Sequence, residues 1–119
     1  MPTLVVKITS GPERVETLMQ AFTVASTGAA SGLDVSVWLT GDATLHALPG
    51  TDEVVIPHSP PLSQLRDAIL ASGGRLTVCA QCAMRREITE DDLIPGARIA
   101  GAAAFVAEAI APDATALVY

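Results

Sequence analysis

Aromatic side chains are scarce, with one Trp, one Tyr and two Phe in 119 residues. The apolar half of the chain is therefore mostly Ala, Val, Leu and Ile, side chains suited to tightly packed helix and sheet layers. Basic residues are also few: seven Lys and Arg stand against thirteen Asp and Glu, a formal net charge of −6. That balance excludes a protein built to grip phosphate backbones or anionic membrane surfaces, both of which select basic patches. No nucleic-acid and no membrane partner is expected. There is no long hydrophobic run either. The most apolar window, Ile99 to Ala111, falls short of the roughly 18 residues of a membrane span, and Glu108 interrupts it. "MPTLVVKITS" lacks the basic, apolar and cleavage regions of a secretory leader, so a cytoplasmic location is expected.

What is present fits one domain, residues 1–119, which buries somewhat under ~70% of the surface of its unfolded chain. With 50% apolar residues and a mean hydropathy of +0.42, the chain has more apolar surface than a small monomer can hide, so a homo-oligomer is expected. Strand-like runs alternate with helical ones. Thr3 to Thr9 reads as a buried strand, and Ser10 with Glu13 as a capping box for a helix that carries Leu18, Met19, Phe22 and Ala25 on one face. Leu33 to Thr40 reads as a second strand, followed by a short helical turn, Ala43 to Leu48. Glu53 to Ile56 reads as a third strand, and Leu62 to Ala71 as a helix stopped by Gly73 and Gly74. Arg75 to Cys79 is then the fourth strand, followed by a helical run to Arg86, a Thr89–Asp92 capping box, a helix over Ala97 to Ala111 and a last strand, Ala114 to Tyr119. Such alternation implies an α/β fold with parallel pairing and chemistry at the carboxyl ends of the strands.

The stretch "TVCAQCAMRREIT" holds both cysteines, Cys79 and Cys82. A metal site needs about four ligands, or three and a water, and no second C-x-x-C or spaced pair of His joins these two thiols, the histidines being His46 and His58. No metal or other cofactor is expected. A lasting disulfide suits a reducing compartment poorly. A dithiol redox pair has the C-x-x-C form, but the motif sits after a late strand rather than an early one. A single nucleophile is the fourth reading: Cys79, at a strand end ahead of a helix, is placed for thiolate stabilisation, with Cys82 one turn on as a resolving thiol. Arg85 and Arg86 supply cationic support or an anion handle. Both thiols can instead fill core gaps as small hydrophobes, in a non-catalytic oligomeric or small-ligand-binding module. Asp42 in "TGD" either orients a ligand at the same edge or caps a turn, and His58 in "PHSPP" is either a proton shuttle beside Cys79 or a solvated loop residue. Trp38 reads most simply as core, and the acidic run Glu87 to Asp92 as a solvated helix start.

The run "RLTVCAQCAMRREITEDDLIPGARIAGAAAFV", with the earlier "AASGLDVSVWLTGDATL", resembles the DsrE/DsrF-like superfamily over essentially the whole chain. The resemblance implies a three-layer α/β/α domain on a five-stranded parallel sheet, assembled as a trimer or hexamer. In the superfamily's sulfur-relay members, a cysteine at the end of the fourth strand carries persulfide sulfur between donor and acceptor proteins. Cys79 matches that cysteine, and Arg85 and Arg86 match the basic pair. Cys82 stands where relay members often carry a small residue. Glu87 stands where many members have glycine, which is expected to set a negative side chain near the thiol.

Overall fold

In the computed structural model, which describes residues 2–119, five strands form one sheet: β1 (Thr3–Ile8), β2 (Asp34–Leu39), β3 (Arg75–Cys79), β4 (Ala97–Ala100) and β5 (Ala114–Val118). Their order is β4-β3-β2-β1-β5, and every neighbouring pair is parallel. The helices are α1 (Val15–Ala30), α2 (Leu62–Ala71), α3 (Ala80–Arg85) and α4 (Ala102–Ala109).

Alternation along the strands decides what each face of the sheet carries. Val6, Ile8, Val35, Val37, Leu39, Leu76 and Val78 join Leu18, Phe22, Ala25, Leu62, Leu65 and Ile69 in one apolar core. The other face presents Lys7, Ser36, Trp38, Thr77, Cys79 and Arg98, at the opposite parity, and meets α4 through Phe105. The chain steps the same way from β1 to β2, β3 and β4, so right-handed crossovers place α1, α2 and α3 on one face. The return from β4 to β5 runs back across the sheet and lays α4 on the other face. The result is a three-layer α/β/α domain with a thick layer of three helices and a thin layer of one.

Two segments differ from their sequence expectations. Glu53 to Ile56 is irregular, because β2 pairs directly with β3 and leaves no place between them. The segment serves the start of α2 instead: Leu62 N–H donates to the Val54 carbonyl at 3.0 Å, and the Glu53 carboxylate accepts from the Ser63 amide and hydroxyl. Conversely, Ala97 to Ala100 is a strand and not the first turn of a helix. The open edge of β3 supplies its partners, and extended backbone at Gly101 separates it from α4. Cys79 therefore ends the third strand of the chain, not the fourth. Smaller differences occur at caps. Glu13 reaches back to the Gly11 amide at 2.8 Å rather than pairing with Ser10, whereas the Asp92 carboxylate accepts from the Thr89 amide as expected.

Glu87 closes α3 in a left-handed conformation, φ 55°, with its own amide bonded to the Met84 carbonyl and the Ile88 amide to that of Ala83. A side chain costs about 1–2 kcal/mol in that region, and glycine gives back about 0.5–1 kcal/mol in unfolded-state entropy. Glu87→Gly is expected to raise stability by roughly 0.5–1 kcal/mol, as read from the denaturant midpoint at unchanged m-value. The residue thus bears on the backbone at the far end of α3 from Cys79.

Candidate functional site

In an open parallel sheet the crevice opens where neighbouring strands send their chains to opposite faces. Here that place is the carboxyl end of β3 and β4: β3 leads into α3 on the thick side and β4 into α4 on the thin side. Cys79 is the last residue of β3, opposite Ala100 of β4, and it is also the N-cap of α3. Its side chain is on the α4 face, where it borders a cavity of ≈ 50 Å³ with Lys7, Trp38, Thr40, Ala102 and Phe105.

Several groups act on the half-buried Cys79 thiol. Burial, the largest influence, pushes its pKa up. The Cys82 and Gln81 amides, the Cys82 thiol and the Lys7 ammonium together outweigh burial and bring it below the ordinary thiol value. The amides act through their field rather than as a capping hydrogen bond of regular geometry. Cys82 is held in turn by Gly41, whose left-handed backbone (φ 56°) accompanies an amide that donates to the Cys82 sulfur at 3.3 Å. Both thiols are free.

The roof of the cavity is fixed by a polar cluster. Glu108 of α4 accepts from the Ser36 hydroxyl, from Trp38 Nε1 at 3.2 Å and from Arg98 at 2.7 Å, while Arg98 Nε donates to Thr77 Oγ1 at 2.9 Å. The Arg98 guanidinium also lies over the Trp38 ring, 5.9 Å from its centre. Burial raises the Glu108 pKa, but the Ser36 and Trp38 hydrogen bonds and the charges of Arg75 and Arg98 bring it below the usual carboxylate value. Trp38 is buried, as its strand position indicates, and is also a donor in this cluster. Phe105 meets its ring edge to face at 5.5 Å and 82°.

The structure distributes the other candidate residues more widely. Arg86 does not face the thiol: it pairs with Asp42 at 2.9 Å and donates to the Cys82 carbonyl, tying α3 to the 3-10 turn Gly41–Ala47. Asp42 is therefore an ion-pair partner rather than a turn cap. Arg85, on the exposed side of α3, makes no hydrogen bond or ion pair among the described residues. His58 is not brought to Cys79; exposed and at φ 64°, it lines a separate hollow with Glu16, Pro57 and Tyr119. Lys7, Phe105, Arg98 and Glu108 had no place in the sequence expectation. Lys7 has a visible signal, as the charged residue in an otherwise apolar strand at the parity of Val5.

Among the described residues, no group of three or more His, Cys, Asp or Glu is placed to hold a metal ion, and no helix is long and apolar enough to cross a membrane. His46 is buried, 2% exposed, and its Nε2 has no hydrogen-bond partner. Burial, with help from Arg66 and against Glu53, holds its pKa below the ordinary value. The unfolded chain therefore takes up a proton that the folded chain refuses. Stability is full above ~6.5 and falls as the pH drops below it, by at most about 1.4 kcal/mol per unit. Urea midpoints measured between about pH 7 and 5 should show this slope, and His46→Leu should flatten it.

Comparison with known proteins places this geometry in a lineage. The model of the DsrE/DsrF-like family matches residues 3–115. The chain belongs to the DsrE/DsrF-like family. Its fold is shared by solved structures at low identity. The YchN protein from E. coli superposes with a TM-score of 0.83 at 21% identity, over 100% of both chains. MTH1491 from Methanobacterium thermoautotrophicum, described as a protein of unknown function, gives 0.69 at 15%, again over 100% of both chains. BT1422 from Bacteroides thetaiotaomicron, likewise of unknown function, gives 0.64 at 14%, over 98% of this chain and 94% of that one. No curated protein matches the sequence. At these identities the neighbours establish the fold of this DsrE/DsrF-like chain, and its chemistry is argued from its own residues.

Proposed function

We propose that this DsrE/DsrF-like protein is a sulfur carrier, with Cys79 as the residue that takes up and passes on sulfane sulfur. The observation that carries this reading is a thiol biased toward thiolate at the crevice between β3 and β4, beside a cavity too small for a bulky organic substrate. The Cys79 thiolate attacks the outer sulfur of a donor persulfide, R–S–SH. A new S–S bond forms on Cys79 as the donor's S–S bond breaks, and the electron pair leaves on R–S⁻. The proton of the transferred sulfur then passes to that thiolate, which gives Cys79–S–S⁻ and R–SH with no net oxidation. Delivery to an acceptor thiolate is the same exchange in reverse. Cys82 supports the thiolate through its amide and thiol.

The carrier works as a homo-oligomer, a trimer or hexamer, in the cytoplasm. Val106 and Ile110, in and just after α4, and Val118 at the end of β5 are 52%, 77% and 65% exposed, apolar surface of the kind that copies of one chain cover. A monomeric mass by sedimentation overturns that part. Intact mass after incubation with a persulfide donor tests the carrier itself. Uptake of one sulfur by the wild type and none by Cys79→Ser is the expected result; no uptake by the wild type, or equal uptake by the variant, overturns it. A Cys79–Cys82 disulfide formed in place of the adduct would favour dithiol redox chemistry instead.

A further inference from the structure

We propose that the cavity beside Cys79 is a receptor for the outer sulfur atom of its persulfide, with Lys7 as the counter-ion that holds that sulfur as an anion. The inference rests on the sulfur-carrier reading and names how the cargo is kept.

Size comes first. A cavity of ≈ 50 Å³ has room for only a few water-sized spheres, since each needs about 10–15 Å³. That admits one sulfur atom attached to Cys79 Sγ and is too little for a bulky organic thiol. The lining comes second. Trp38, Phe105 and Ala102 present apolar surface, which suits a large, polarisable, weakly hydrated atom, and Thr40 completes the lining with Lys7.

Charge comes third. Lys7 is the only cationic side chain in the lining, and it reaches the cavity from β1, two strands away from Cys79. Its ammonium lies 5.2 Å from the centre of the Phe105 ring. Stacked there it is partly shed of water, where a cation gains most from a nearby anion. No carboxylate lines the cavity to compete for it. The ammonium already acts on the Cys79 thiol, and an added sulfur carries the negative charge further into the cavity, towards Lys7. The pocket thus stabilises Cys79–S–S⁻ over the bare thiolate, and it shields the outer sulfur from bulky thiols until Cys79 turns it outward about its side-chain bonds.

The test loads the wild type, Lys7→Met, Lys7→Arg and Phe105→Ala with inorganic polysulfide, removes the excess, and follows the sulfur remaining per loaded molecule by intact mass and cyanolysis in the presence of a small thiol and, separately, of a bulky one. The expected result is about tenfold faster loss from Lys7→Met than from the wild type, with the pH profile of Cys79 alkylation moved upward. Lys7→Arg, which keeps the charge, should stay within a few-fold of the wild type. Phe105→Ala opens the cavity without changing the charge and should lose sulfur faster to bulky thiols. It also provides an independent test should Lys7→Met fold poorly. Equal retention by the wild type and both Lys7→Met and Phe105→Ala overturns the receptor while leaving the carrier standing; no loading of the wild type overturns both.

Discussion

Cys79→Ser is expected to abolish sulfur loading, leaving uptake at the level of background chemistry. Serine keeps the size of the side chain at the half-buried end of β3, so the fold survives. It does not keep the nucleophile, because a hydroxyl at neutral pH has neither the anionic population nor the softness of a thiolate. Cys82→Ala is expected to act differently. It removes the thiol that faces Cys79 but keeps the Cys82 and Gln81 amides and the Lys7 charge, so loading should slow only a few-fold and the alkylation profile of Cys79 should move to higher pH. Arg85→Ala should leave loading nearly unchanged. Arg86→Ala removes the tie to Asp42 and should act through the position of Cys82. Intact mass over time, alongside pH-dependent alkylation, separates these cases. Comparable loss in Cys79→Ser and Cys82→Ala would make the two thiols one functional pair and end the single-carrier assignment.

Glu108→Ala is expected to destabilise the protein by about 2–3 kcal/mol, or a fall in Tm on the order of 10 °C. The substitution leaves the buried Ser36 hydroxyl and the Trp38 indole N–H without their acceptor and Arg98 without its ion pair. Arg98 is 43% exposed, so water takes over part of its charge and the ion-pair share is discounted. Glu108→Gln, which keeps one carbonyl oxygen for Ser36 and Trp38, should recover most of the loss. Because the Glu108 pKa is held below its unfolded value, the part of this stability that depends on its charge is present above about pH 4.5 and is lost as the pH falls through the lower folded value. Thermal melts of wild type, Glu108→Ala and Glu108→Gln at neutral pH decide the matter. A loss below about 0.5 kcal/mol for the alanine variant would mean that water already serves Ser36 and Trp38.

Much of this arrangement was legible in the sequence. The apolar run ending in Cys79 and the small-residue segment after it marked a strand-to-helix turn at the working edge of a parallel sheet, and the family followed from the same residues. The identity of the crevice was not legible. "ARIA" is too short and too rich in alanine to be told from the helix that follows, and only the open edge of β3 makes it a strand. Without β4 there is no place where the chain leaves neighbouring strands in opposite directions. Glu108 was visible only as the charge that spoils a membrane span, because its partners Ser36, Trp38 and Arg98 come together through pairings far apart in sequence. The basic pair divides for a local reason that the sequence leaves open: side chains one residue apart on a helix point in different directions, so Arg86 reaches Asp42 while Arg85 turns to solvent.

The unequal layers of the sandwich have a kinetic consequence. None of the residues of α4 is fully buried, and it hangs from the sheet chiefly by Phe105 and Glu108, whereas α1 and α2 share the main core. Such an element belongs to the low end of the scale of local opening free energies. In a single chain its amides should exchange with solvent well before those of α1 and β1, in a sub-global event that leaves the rest of the molecule folded, and copies assembled over Val106 and Ile110 should slow that exchange. The cavity beside Cys79 is roofed by Ala102 and Phe105 of this latch, so each lifting of α4 gives a larger partner a second way to Cys79 besides the turning of its side chain.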